Sequence, residues 1–402
     1  MRYKMKMLKK AICVILVFVM AFAASLTSFA AYGSPDSRLK FDENGDFNIL
    51  HLTDWHCDYP LPAVHKQLVL ESIAEANPDL VVLGGDLSEA SHENQPAAIK
   101  EICEIFVQAE IPFVITFGNH DYMHGYTIDE MFAFYKEYGG EYFIGSDENP
   151  ELFGCGTCSI PVYSNDGSKI AYNIYCFDSG DRAVIDGEDK GYDSVHPDQI
   201  EWYQTKAEEL KNENGGEYVP SVVFQHIIVQ EIYDKLFPVA ESYNAGLREY
   251  ETVTYDLVPI PNYANVKDGY IFEKPCPGYY NYGQLDAMSK NGDVRAIFCG
   301  HDHYNSFTVE IDGIDIINTP SIKPHILLRK INWGPRAITL HEDGTYENRV
   351  LMTCELAQKE GSQLISVGAV PKAEIFIVKI WKALVDISLP IWSRLTGLIY
   401  KF

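Results

Sequence analysis

One stretch narrows the folds open to this chain more than any other. The apolar run Ala296-Ile297-Phe298-Cys299 stops at Gly300 and is followed at once by His301-Asp302-His303. A short uninterrupted apolar run reads as a strand buried on both faces. The glycine lets the backbone turn sharply, and two imidazoles two positions apart can then be aimed at a metal site. The pattern recurs. Leu50-His51-Leu52 precedes Asp54-Trp55-His56, and Leu80-Val81-Val82-Leu83 precedes Gly84-Gly85-Asp86. Phe113-Val114-Ile115 precedes Gly118-Asn119-His120-Asp121, and an apolar run over 219–224 precedes Gln225-His226. Helical periodicity over 66–76 and 97–109 separates the first three strands. A βαβαβ order implies a parallel sheet with covered faces. Ligands of such sheets bind beyond the carboxyl ends of the strands, so all five turns are expected on one edge.

The donors at these turns are carboxylate, imidazole and amide, with no thiolate. Such a set suits Mn, Fe or Zn better than a thiolate-type zinc or iron–sulfur centre. Asp54, His56, Asp86, Asn119, His226, His301 and His303 exceed what one catalytic ion with an open water position can use. Two ions about 3.5–4 Å apart, sharing one carboxylate, would use them all.

In this order the five motifs resemble the calcineurin-like metallophosphoesterase superfamily, over roughly residues 47–306. They are most similar to its purple acid phosphatase 29-like branch. The resemblance implies a four-layer α/β/β/α sandwich with the metal site at strand C-terminal ends. It implies one metal on Asp54, His56 and His303, a second on Asn119, His226 and His301, and Asp86 between them. His120 would stand beside the metals as the catalytic acid or phosphoryl clamp, with Asp121 orienting and polarising its ring. The purple enzymes carry a metal-binding Tyr three positions after the bridging Asp. Here that position is Glu89, so a ferric-tyrosinate colour is not expected. The implied activity is hydrolysis of small phosphate esters by a metal-bound hydroxide, with phosphomonoesters favoured. A phosphodiesterase on cyclic nucleotides or phospholipid headgroups is the alternative within the class. A surface binding module that kept the fold and lost catalysis is the alternative outside it.

Charge and the ends of the chain bound the rest. Residues 1–30 read as a secretory signal: Arg2, Lys4, Lys6, Lys9 and Lys10, then an apolar core, then Ser28-Phe29-Ala30 as a cleavage site. The apolar core is short for a membrane anchor. The expectation is a secreted or extracytoplasmic protein of a bacterium. The whole chain carries a formal charge of -25, and without the five cations of the signal it carries -30. An acidic body argues against general nucleic-acid binding, which needs Lys and Arg on phosphates.

Residues 31–355 are expected to form the catalytic domain, with Tyr/Pro-rich residues 233–282 inserted as a substrate-side loop. Asn44-Gly45 between apolar runs is a hairpin signal. In an exported protein, Cys155-Gly-Thr-Cys158 suits a local disulfide; a zinc site would need a second such pair. Residues 356–371 read as a linker. Residues 372–402 read as an amphipathic helix kinked at Pro390, either lying on a membrane surface or packing on the body or a second subunit.

Overall fold

The computed structural model describes residues 38–237, 261–323 and 333–399. The expected signal and residues 238–260 of the insertion lie outside these.

The strands are β1 (Asp46–Leu52), β2 (Leu80–Leu83), β3 (Phe113–Ile115), β4 (Cys158–Tyr163), β5 (Ile170–Cys176), β6 (Arg182–Ile185) and β7 (Glu188–Tyr192). They continue as β8 (Ser221–Phe224), β9 (Val266–Asp268), β10 (Val294–Cys299), β11 (Thr308–Ile311), β12 (Ile314–Asn318), β13 (Arg336–His341) and β14 (Tyr346–Val350). The helices are α1 (Ala63–Ala76), α2 (Gln95–Ala109), α3 (Ile128–Gly139), α4 (Pro197–Glu213), α5 (Ile232–Leu236), α6 (Gln284–Asn291), α7 (Thr353–Leu356) and α8 (Lys372–Ile399). One sheet has the order β14-β13-β1-β2-β3, the other β4-β5-β8-β10-β12-β11-β9, and β6 and β7 form a separate ribbon.

Alternation along the strands builds four layers. On β10, Ala296 and Phe298 enter the seam between the sheets, where they meet Val222 and Phe224 of β8 and Ile49, Leu80 and Val82 of the facing sheet. Ile297 and Cys299 point the other way, to a layer with Ile200, Tyr203 and Ala207 of α4 and Leu285 and Met288 of α6. Leu50 and Leu52 of β1 likewise face Leu68 and Val69 of α1 and Ile102 and Phe106 of α2. Both faces of each central strand are therefore covered, which is why the runs are apolar without interruption. Local signals agree with the elements. Thr127 caps α3 by accepting from Glu130 N, while Glu130 Oε2 accepts from Thr127 N, a reciprocal capping box.

Strands β1, β2 and β3 run parallel, as do β5, β8, β10 and β12. Within each sheet the carboxyl ends of these strands therefore share one edge.

Three expectations need correction. The turn at Asn44-Gly45 forms, held by Asp42 Oδ1 accepting from Asn44 N and Asp46 N. It does not close a hairpin, because Phe41 N donates to Tyr163 O in the other sheet, while β1 pairs with β13 and β2. Cys155 and Cys158 are free buried thiols. Cys155 packs in the layer with α3, and Cys158 enters the seam between the sheets, so their side chains point into different layers. Residues 356–371 are not a free linker: Leu364, Ala369 and Val370 are buried with Leu68 and Val69 of α1, and Ser362 Oγ donates to Glu71 Oε2.

Candidate metal centre

The five turns meet. Asp54 Oδ1 lies 3.3 Å from His303 Nε2 and 3.8 Å from His56 Nε2. Asp86 Oδ2 lies 3.1 Å from His226 Nε2 and 3.8 Å from His56 Nε2. Potential ligand atoms of Asp54, His56 and His303 form one group within 4.8 Å of one another, and those of Asp86, His226 and His301 form another. Asp86 thus reaches toward both groups through one oxygen. Its other oxygen accepts the backbone N–H of His120 at 2.7 Å.

The backbone is bent hard to bring this about. Asp54, His56, Asp86 and His301 all have left-handed φ, at 51°, 43°, 55° and 69°. Such a conformation costs a residue with a Cβ of order 1–3 kcal/mol, and it persists where the surroundings over-determine it. Here they do. Asp54 N donates to Gly85 O and His56 N to Asp86 O. Asp54 Oδ2 accepts from Thr53 Oγ1 and from His301 N. Gly300 is required beside this cradle, because a Cβ there would run into the Thr53 hydroxyl and Asp54 Oδ2.

The side chains fit the two-ion reading by what they lack. Asp54 Oδ1, Asn119 Oδ1 and His301 Nε2 are buried without a hydrogen-bond partner, and His226 Nε2 is out of line with its nearest carboxylate. A buried unpaired polar atom costs about 1–3 kcal/mol. Asp54 and His301 belong to the two ligand groups, and Asn119 precedes His120, whose backbone N–H donates to Asp86 Oδ1; open lone pairs so placed fit cations. The imidazole of His226 is held for such a role: its Nδ1 lies 2.7 Å from Gly84 O, which leaves Nε2 as the ligating atom.

Electrostatics points the same way. Burial works against the charged form of Asp86, yet His226 beside it lowers its pKa to about 2. Burial opposes the charge on His226 too, but Asp86 and Asp54 raise it to about 10. Two buried carboxylates thus draw a proton onto one imidazole. Divalent cations on the same atoms would meet that demand and release the proton. His301 is pushed down to about 3 by burial and by His226, the neutral form a ligand needs.

The pairing of His120 with Asp121 is not what the resemblance implies. Both lie in the short 3-10 turn Asn119–Met123, where consecutive side chains diverge by about 120°. Asp121 turns inward, and its Oδ2 accepts from Asp86 N and Gly118 N. It fixes the turns that carry Asp86 and Asn119. The ring of His120 turns outward and meets Glu89, with Nδ1 3.2 Å from Oε1. The same carboxylate oxygen lies 2.5 Å from His56 Nδ1. Glu89 therefore holds one expected ligand and the expected acid together. Its position three residues after Asp86 was its only signal in the sequence. Tyr192, at the end of the β6–β7 ribbon, also escaped the motif reading; its ring meets His301 edge-on at 4.2 Å.

The described part of the insertion runs beside the site. Asn305 Oδ1 accepts from Phe272 N and Glu273 N, and Asp302 Oδ1 accepts from Cys276 N. Asp302 thus anchors the neighbouring loop.

Fold and site together define a metallophosphoesterase. The family model of the calcineurin-like phosphoesterases matches residues 47–305, and the chain belongs to that family, whose members carry a dinuclear metal centre. Among curated relatives are two from Arabidopsis thaliana. "Probable inactive purple acid phosphatase 14" is 25% identical over 338 residues, covering 75% of this chain and 77% of the relative. "Probable inactive purple acid phosphatase 29" is 25% identical over 332 residues, with the same coverage. Among solved structures, a dimetal phosphatase from Danio rerio aligns with a TM-score of 0.45 at 8% identity, covering 76% of this chain and 98% of that one.

Proposed function

We propose that this chain is an exported phosphomonoesterase working with two divalent ions, Mn, Fe or Zn. One is held by Asp54, His56 and His303, the other by Asn119, His226 and His301, with Asp86 between them. The observation that carries the reading is that Asp54 Oδ1 and His301 Nε2 are buried without hydrogen-bond partners in the two ligand groups, with Asn119 Oδ1 buried likewise in the turn that binds Asp86. Ions so held would offset the charge of a phosphate ester and acidify a water as nucleophile.

The chain's own groups do the rest. His120 and His303 are partly exposed, at 36% and 30% of their side-chain surface, and His301 is partly exposed as well. His120 stands at the mouth, edge-on to His56 at 4.7 Å. Glu89 fixes its Nδ1, which directs the rest of the ring toward an entering ester. From there it donates to a phosphoryl oxygen or protonates the leaving alkoxide. Asp121 and Gly84 hold the frame through backbone contacts. Export rests on the cationic start, apolar core and cleavage site of residues 1–30.

A second reading, a binding module without catalysis, is favoured by the Arabidopsis relatives, which are named as probably inactive. Metal analysis of the purified chain and assays with p-nitrophenyl phosphate and bis-p-nitrophenyl phosphate separate the readings. Two metals per chain and faster monoester turnover are expected. Faster diester turnover would replace the monoesterase with a diesterase. Two metals without turnover of either ester would leave the binding module. His120→Asn should lose about 10²–10⁴-fold in turnover with metal content unchanged; full activity would remove His120 from the chemistry. N-terminal sequencing of protein recovered outside the cell should begin near residue 31.

A further inference from the structure

Helix α8 has two unlike faces. Toward the body it buries Val378 and packs Ile375, Trp381 and Val385 on the layer that holds α1. Asp386 accepts a hydrogen bond from Tyr270 OH at 2.6 Å. Away from the body it exposes Phe376, Ile377, Ile380, Leu384, Ile387, Ile391, Trp392 and Leu395. Phe376 and Ile387 are exposed over 68% and 69% of their surface. Only four other large apolar side chains are exposed among the described residues, and they are scattered. At about 100° per residue, all of the outward set except Trp392 falls within one arc of roughly 120°. That arc contains no carboxylate. Lys372 and Lys379 border it on one side, Trp392 borders it on the other, and Arg394 lies within it near the end.

Two observations choose the occupant. The first is charge. Helix α8 carries four cations against two anions, while residues 31–371 carry a formal -33. A second copy would set the same cation-edged stripe against this one, with no carboxylate on the facing arc to pair with Lys372, Lys379 and Arg394. At a lipid surface the helix cations touch the headgroups, while body charges farther off than the Debye length of about 8–10 Å are screened. The second is length and apolarity: no helix among the described residues is long and apolar enough to cross a membrane. A broad apolar arc edged by Lys, Arg and Trp is the pattern of a helix lying in the plane of the interface.

We propose that α8 docks the protein on an anionic phospholipid surface, its Phe376–Leu395 stripe among the acyl chains and Lys372, Lys379 and Arg394 at the headgroups. The packing of α8 sets where the catalytic site faces. Asp386 holds Tyr270, and Ser306 N donates to Tyr270 O, three residues from His303. The docking helix and the metal-site loop thus share one support.

The test is co-flotation of the full chain with vesicles of phosphatidylcholine and phosphatidylglycerol at 7:3, in 0.1 M salt. The double variant Ile380→Asp/Ile387→Asp is run beside it. Both residues are exposed, so its thermal melt and p-nitrophenyl phosphate turnover should equal those of the parent. Vesicle binding should fall at least tenfold in the variant and should weaken in pure phosphatidylcholine. Equal flotation of parent and variant would overturn the proposal. So would a parent that fails to float and elutes as a dimer which the variant breaks; a second copy would then own the face. Neither outcome depends on whether the site hydrolyses phosphate esters.

Discussion

The strand-end loops and the outer face of α8 leave opposite kinds of group unsatisfied. At the loops, polar atoms are buried without partners: Asp54 Oδ1, Asn119 Oδ1, His301 Nε2. On α8, large apolar side chains stand in water. The supports differ as well. The loops hang from buried strands and hold left-handed φ at four expected ligands, whereas α8 is one regular helix resting on one face. A missing polar partner inside a rigid frame has direction, so it selects ions by number and position of donors. A missing apolar cover has area but little direction, so it suits a fluid partner. Specific demand is built where the chain is strained, and general demand where it is relaxed.

Substitutions can break this contrast, and the largest effects belong to the loops. Asp86→Ala removes the carboxylate proposed to lie between the two ions. Turnover should fall to background and metal content below one per chain, read by mass spectrometry; two retained metals would refute the shared role of Asp86. Glu89→Gln should cost about 10–100-fold in metal affinity or turnover, the range for groups that orient a ligand. An effect on turnover alone would assign Glu89 to His120 rather than to His56. On α8, Val378→Ala should destabilise by roughly 1.5 kcal/mol, while Ile387→Ala should stay within about 0.5 kcal/mol. Equal effects in urea unfolding would mean that both faces are packed.

A pH-dependent effect sharpens the frame itself. Burial, reinforced by Arg336, pushes His51 down to about 3, so it is neutral in the folded protein. Its ordinary value in the unfolded chain is 6.5. Between these values the unfolded chain binds the extra proton, so stability is present above pH 6.5 and is lost as pH falls. The loss is up to about 1.4 kcal/mol per pH unit for one proton. His51→Gln should flatten that acid limb in unfolding curves taken from pH 7 to 4. An unchanged slope would show that His51 is charged in the fold.

The parts visible in the sequence were those set by short-range pattern. Strand runs such as Ile297 to Cys299 and the Gly, Asp and His residues at their ends could be read directly, because double-sided burial and a turn each leave a local mark. The four-layer arrangement came through resemblance. Contacts made across the fold were hidden. Nothing near Glu89 announces that it grips both His56 and His120. The adjacency of His120 and Asp121 was misleading, since neighbours in a 3-10 turn face apart. Helix α3 was not among the helices read from the sequence, although its capping box at Thr127 and Glu130 is a local signal. The packing of Leu364 and Val370 was lost because a few apolar residues in a polar segment have no period.

The two proposed ligand groups draw on both sheets: Asp54, His56, Asp86 and Asn119 follow β1, β2 and β3, while His226, His301 and His303 follow β8 and β10. Neither the first half of the chain nor the second contains a whole group. A fragment, a stalled nascent chain or a proteolytic remnant lacks the coordination sphere even when its own sheet is intact. If the proposed ligand groups hold two ions, metal occupancy would report completed assembly of the two sheets.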